Sequence, residues 1–66
     1  MEFKHLEIFM ALVENLSFSV TAARLDVSQP TVSLVIKNLE RELDTPLFIR
    51  STRELKITEA GANLYS

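Results

Sequence analysis

The side chains best equipped for chemistry in this chain lie between Ser28 and Arg41. Gln29 carries a carboxamide, whose adjacent donor and acceptor can pair bidentately with adenine. Ser28, Thr31 and Ser33 offer hydroxyls to phosphates or base edges, and Lys37 and Arg41 bring positive charge. Projected as a helix at about 100° per residue, Pro30, Ser33, Leu34, Lys37 and Arg41 share one side. Val32, Val35, Ile36, Leu39 and Leu43 share the other. Such a stripe suits recognition, not bond making, and a merely solvated helix face is its competing reading. Leu34, apolar in the middle of the stripe, has two readings: contact with a thymine methyl, or an isolated exposed leucine.

Catalytic groupings are missing from the sequence. There is one histidine, His5, and no cysteine. No Ser–His–Asp set, glycine-rich phosphate loop or metal-ligand cluster is present, so neither an enzyme nor a cofactor or metal is expected. His5 reads as a surface or core-edge residue of the first helix.

The elements that must position the stripe follow from periodicity and punctuation. Sixty-six residues make one small domain, and 47% hydrophobic residues suffice for a core that no disulfide can brace. Helices are expected near 1–15, 18–25 and 28–44. In the first, Leu6, Phe9, Met10, Val13 and Leu16 fall on one apolar face. Ser17 or Ser19 caps the second, where Ala22 must be small because the next helix passes close. Ser28 caps the third, with Pro30 in its first turn and Pro46 blocking its continuation. Leu47–Arg50 and Leu55–Ile57 read as a hairpin around Ser51-Thr52-Arg53-Glu54, a turn without glycine or asparagine. Thr58 caps a short last helix beginning at Glu59. Val32, Ile36, Leu39, Phe9, Val13, Leu25 and Phe48 form the expected core.

Two helices on a tight turn, the second with an outward polar stripe, make a helix-turn-helix. The fold class is therefore mainly α: a three-helix core, a β-hairpin wing and the start of a further helix. On the wing, Arg53 is read as a minor-groove residue, and Arg50 as a structural ion pair with an acidic side chain, perhaps of the third helix. The formal charge is −2, mildly against nucleic-acid binding, but six of the seven Lys and Arg residues fall within 24–56. The longest apolar run, Ile8 to Val13, is far below the ~20 residues of a membrane span. The start lacks the pattern of a signal peptide. A soluble, cytoplasmic domain without membrane contact is expected.

The sequence resembles the N-terminal domain of LysR-type transcriptional regulators. The residues that carry the likeness are Phe3, Leu6, Phe9 and Val13, then Ser17-Phe18-Ser19, Ala22-Ala23 and Leu25. Ser28-Gln29-Pro30-Thr31-Val32-Ser33, Ile36, Leu39-Glu40 and Glu42-Leu43 continue it, and Pro46-Leu47-Phe48, Arg50, Arg53 and Ile57-Thr58-Glu59-Ala60-Gly61 complete it. The resemblance implies a winged helix-turn-helix on double-stranded promoter DNA, with contacts carried over to Ser28, Gln29, Pro30, Thr31, Ser33, Leu34, Lys37 and Arg53. It implies a domain over 1–58 and, from 59–66, the start of a longer linker helix through which the family forms homo-oligomers. The family's small-molecule effector site belongs to another domain. Two residues depart from the family pattern: Leu34, where a basic or polar residue is usual, and Asp44, where glycine usually ends the third helix. A winged helix serving protein contacts, with Leu34 as anchor, is the alternative.

Overall fold

The computed structural model describes residues 2–51 and 53–66; Met1, expected at the head of the first helix, and Thr52, expected in the wing turn, lie outside the described residues. Three helices, α1 (Phe3–Asn15), α2 (Phe18–Leu25) and α3 (Gln29–Leu43), pack against one another. Strands β1 (Phe48–Arg50) and β2 (Leu55–Ile57) form an antiparallel pair in which Phe48 faces Ile57 and Arg50 faces Leu55. Helix α4 (Glu59–Tyr65) follows.

The core corrects the expected phase of α1. Ile8, Phe9 and Leu12 are buried, whereas Met10 and Leu16 are exposed and Val13 only half-buried. The helix is apolar on two adjoining stripes, so its own periodicity does not choose between them. The choice falls to Phe9, whose ring meets the edge of Phe48 at 5.7 Å between centroids. On α3, Val32, Val35, Ile36 and Leu39 are buried as expected, but Leu43 lies one turn beyond the core and is exposed. Leu25 packs on the core half-buried.

Local chemistry sets the helix ends. The Ser17 hydroxyl, not that of Ser19, accepts from the Val20 amide and caps α2. Asn15 bolts α1 to α2: its Oδ1 accepts from the Ser17 amide at 2.8 Å and from the Thr21 hydroxyl at 3.0 Å, which satisfies the one buried polar side chain of α2. Asp26 and Asp44 both adopt the left-handed conformation, φ 56° and 53°. Behind each, the next residue's amide reaches back five residues, Val27 to Ala22 and Thr45 to Glu40. This is the closure that glycine normally provides; aspartate tolerates the conformation better than most side chains. The turn into α3 is thus tight, and Ser28 caps that helix by accepting from the Thr31 amide.

The wing turn does without glycine because Ser51 closes it. Its hydroxyl donates to the Glu54 carbonyl at 3.0 Å and accepts from the Glu54 amide at 3.1 Å. Thr58 joins the wing to α4, donating its hydroxyl to the Pro46 carbonyl and accepting from the Gly61 amide. Gly61 is required at this junction: a Cβ there would collide with the Leu47 carbonyl oxygen and lie 2.6 Å from Ile57 Cγ1.

Tyr65 Oη donates to Glu14 Oε2 at 3.2 Å, tying α4 back to α1. The hydrogen bond to that carboxylate, then its charge, then burial raise the phenol's pKa above the usual 10.0. Tyr65 is the only tyrosine and there is no tryptophan, so its ionisation is readable by ultraviolet absorbance. A raised folded value means that any stabilisation from this contact is present below the unfolded pKa and lost as pH climbs through the folded one. We expect Glu14→Gln to move the titration midpoint down toward the ordinary value; an unmoved midpoint would dissociate the shift from Glu14.

Candidate nucleic-acid interface

The tight turn after α2 and the Ser28 cap hold the first turns of α3 outward. Of the eight residues expected to make contact, Ser28, Gln29, Pro30, Thr31, Leu34 and Lys37 are exposed along or beside one side of α3, and Ser33 is half-buried next to them. Arg53 is exposed on the wing turn, a separate element. The structure therefore gathers six on α3 and a seventh, Ser28, at its N-cap, and leaves the eighth on the hairpin.

Between helix and wing runs a shallow groove. One part is lined by Gln29, Pro30, Ser33, Phe18 and Arg50, and its continuation by Lys37, Glu40, Ile36 and Phe48 with Phe18, Ser33 and Arg50 again. Arg50 bridges its walls. Its guanidinium stacks 4.2 Å above the Phe18 ring centroid, and Nη2 donates to Ser33 Oγ over a long 3.4 Å.

The expected ion pair at Arg50 is thereby corrected. Glu40, the acidic residue of α3 on the same groove, is occupied elsewhere: Oε2 accepts from the Leu47 amide at 2.7 Å and from the Phe48 amide at 3.3 Å. Its carboxylate anchors the base of the wing, and the aromatic face takes the cation instead. Ion pairs join His5 with Glu2 and Lys56 with Glu54; neither involves Lys37, Arg50 or Arg53.

Phe18 and Glu40 shape the groove in ways that spacing does not show. Phe18 had a local signal, an aromatic at the start of a helix directly after its serine cap. Glu40 had none, since its partners lie seven and eight residues away. His5 is half-buried on α1, and no group of three or more metal-ligating side chains occurs among the described residues. No helix there is long and apolar enough to cross a membrane.

A three-helix core, a groove-facing helix and a two-stranded wing define a winged helix-turn-helix DNA-binding domain. The family model of bacterial regulatory helix-turn-helix proteins, lysR family, matches residues 3–62, and the chain belongs to that family. It is similar to the probable RuBisCO transcriptional regulator of Cyanidioschyzon merolae, 55% identical over 85% of this chain and 18% of the relative. The HTH-type transcriptional regulator XapR of Escherichia coli is 48% identical over 91% of this chain and 20% of its own length. The chain thus spans about a fifth of these relatives. Among solved structures, the BenM DBD/catB site 1 DNA complex superposes with a TM-score of 0.92 at 43% identity, covering 98% of this chain and 70% of that one. The CbnR DBD–DNA complex gives 0.92 at 37% identity, over 98% and 75%.

Proposed function

We propose that this domain binds double-stranded promoter DNA sequence-specifically, as the DNA-binding part of a bacterial transcription regulator. Helix α3 lies in the major groove and Arg53 of the wing points toward the minor groove. The observation that carries this reading is the exposed first half of α3, where hydroxyls, a carboxamide and Lys37 share one surface beside the guanidinium of Arg50, held by Phe18 and Ser33. Base readout falls to Gln29, Pro30, Ser33 and Leu34; Ser28, Thr31 and Lys37 serve the phosphate backbone. The two DNA complexes among the structural relatives support the assignment. The relatives are transcriptional regulators, which supports a binding module over an enzyme.

Residues 1–58 form the reading unit in this proposal, and 59–66 open a linker helix through which the parent protein pairs in the cytoplasm. Linking two modules raises apparent affinity ~10²–10⁴-fold through effective concentration alone. The domain by itself therefore engages a half-site weakly.

Duplex titrations over a range of salt test the reading. Log affinity should fall linearly with log salt, as released counterions require. Gln29→Ala should cost ~1–3 kcal/mol on the preferred duplex and relax preference at one base pair. Lys37→Ala should weaken all duplexes alike and reduce the salt slope by about one. Equal losses for both variants on preferred and scrambled duplexes would overturn this division of labour. Salt-independent binding would overturn the function.

A further inference from the structure

We propose that Leu34 makes the domain select a pyrimidine carrying a C5-methyl group, thymine in ordinary DNA, at one position of each half-site; the inference rests on α3 entering the major groove. Leu34 is 58% exposed in the second turn of α3. It stands one turn beyond Pro30 and one before Lys37, close to the middle of the outward stripe. Among the described residues its side chain is left largely uncovered, so most of the isobutyl group is in water.

Docking α3 removes that water, and Leu34 can return no hydrogen bond. The major-groove edges differ in what they lose. Every base edge loses something against leucine: guanine two acceptors, adenine an acceptor and a donor, cytosine a donor and thymine its O4 acceptor. Thymine alone adds a methyl group, which gains from the contact. Selection thus rests on the attractive methyl contact, and the purines are further disfavoured by a second unpaired group. A protein partner fits this surface less well, because Ser33, Thr31, Lys37 and Arg41 around Leu34 carry hydroxyls or charge. The apolar Leu43, for its part, lies on the opposite side of the helix.

The probe is the tightest duplex recovered from a randomised pool, re-made with uracil replacing thymine at one position at a time. Uracil keeps every hydrogen-bonding group and lacks only the methyl. We expect one position per half-site at which uracil weakens binding about four-fold, the worth of burying one methyl-sized group. In Leu34→Ala, whose exposed site leaves folding intact, uracil and thymine should bind equally there. Cytosine against 5-methylcytosine at that position separates the two sources of the methyl: recovery on methylation assigns the contact to the methyl on either base, and no recovery confines it to thymine. A flat uracil scan with firm, salt-dependent binding would overturn the assignment while leaving the DNA-binding reading standing. So would a uracil penalty that persists in Leu34→Ala. Failure to bind any duplex at low salt would instead remove the DNA-binding reading itself.

Discussion

Phe9→Ala is expected to remove a large share of the stability of this domain. Phe9 is wholly buried and makes the edge contact with Phe48 that joins α1 to the wing strand. Truncating a buried phenylalanine costs about 3–5 kcal/mol, through lost transfer energy and the cavity left behind. A domain of this length holds about 3–10 kcal/mol in total, at 0.05–0.15 per residue. With no cysteine in the chain, no disulfide can make up the difference. Urea unfolding followed by circular dichroism measures the loss. A drop below 1 kcal/mol would mean that the core closes over the vacated space and that Phe9 is not its keystone. Phe9→Leu, which keeps most of the apolar volume, should fall between the two.

Glu40→Ala is expected to cost about 2–4 kcal/mol, because hydrogen bonds to a charged group contribute about 1.5–3 each and one of the two here is long. The Leu47 amide, on a residue with no exposed surface, would lose its acceptor. Glu40→Gln retains a neutral acceptor at the same place and should recover about half of the loss. The consequence reaches function through geometry. Glu40 fixes the base of β1 to α3, and Arg50 at the other end of that strand reaches Ser33 on the recognition surface. Loosening the anchor should therefore reduce DNA affinity by more than the fraction unfolded accounts for. Titration at a temperature where Glu40→Ala is still folded checks this; full affinity there would confine Glu40 to stability.

These two substitutions mark separate layers of the molecule. Phe9 acts on the existence of the core, whereas Glu40 acts on the angle between helix and wing. Leu34 and Gln29 belong to a third layer: both are exposed, so substituting them is expected to change what is read without changing what folds. The net charge of −2 is compatible with this arrangement because the acidic residues near the groove are engaged or directed elsewhere. Glu40 faces backbone amides and Glu54 faces Lys56.

Most of what depends on a single helical turn, or on one unambiguous stripe, is legible in the residues alone. Ser28 and Pro30 announced the start of α3, and the contrast between Val32, Val35, Ile36 and Leu39 on one side and Ser33, Leu34 and Lys37 on the other was enough to phase it. The hairpin and the Thr58 cap were equally local. The family could be told from the order of these motifs along the whole chain. The remainder depends on packing between elements distant in the chain. Helix α1 offers two apolar stripes of similar strength, and which one turns inward depends on Phe48, thirty-nine residues further on. Arg50 reads in the sequence as a structural ion pair with an acidic side chain, yet it stacks on Phe18 while Glu40 is held by two amides. Leu43 continued the apolar period of α3 but lies past the point where the core ends. In each case the competing partners are distant in sequence and similar in chemistry. Periodicity ranks such partners equally; packing in three dimensions admits only one.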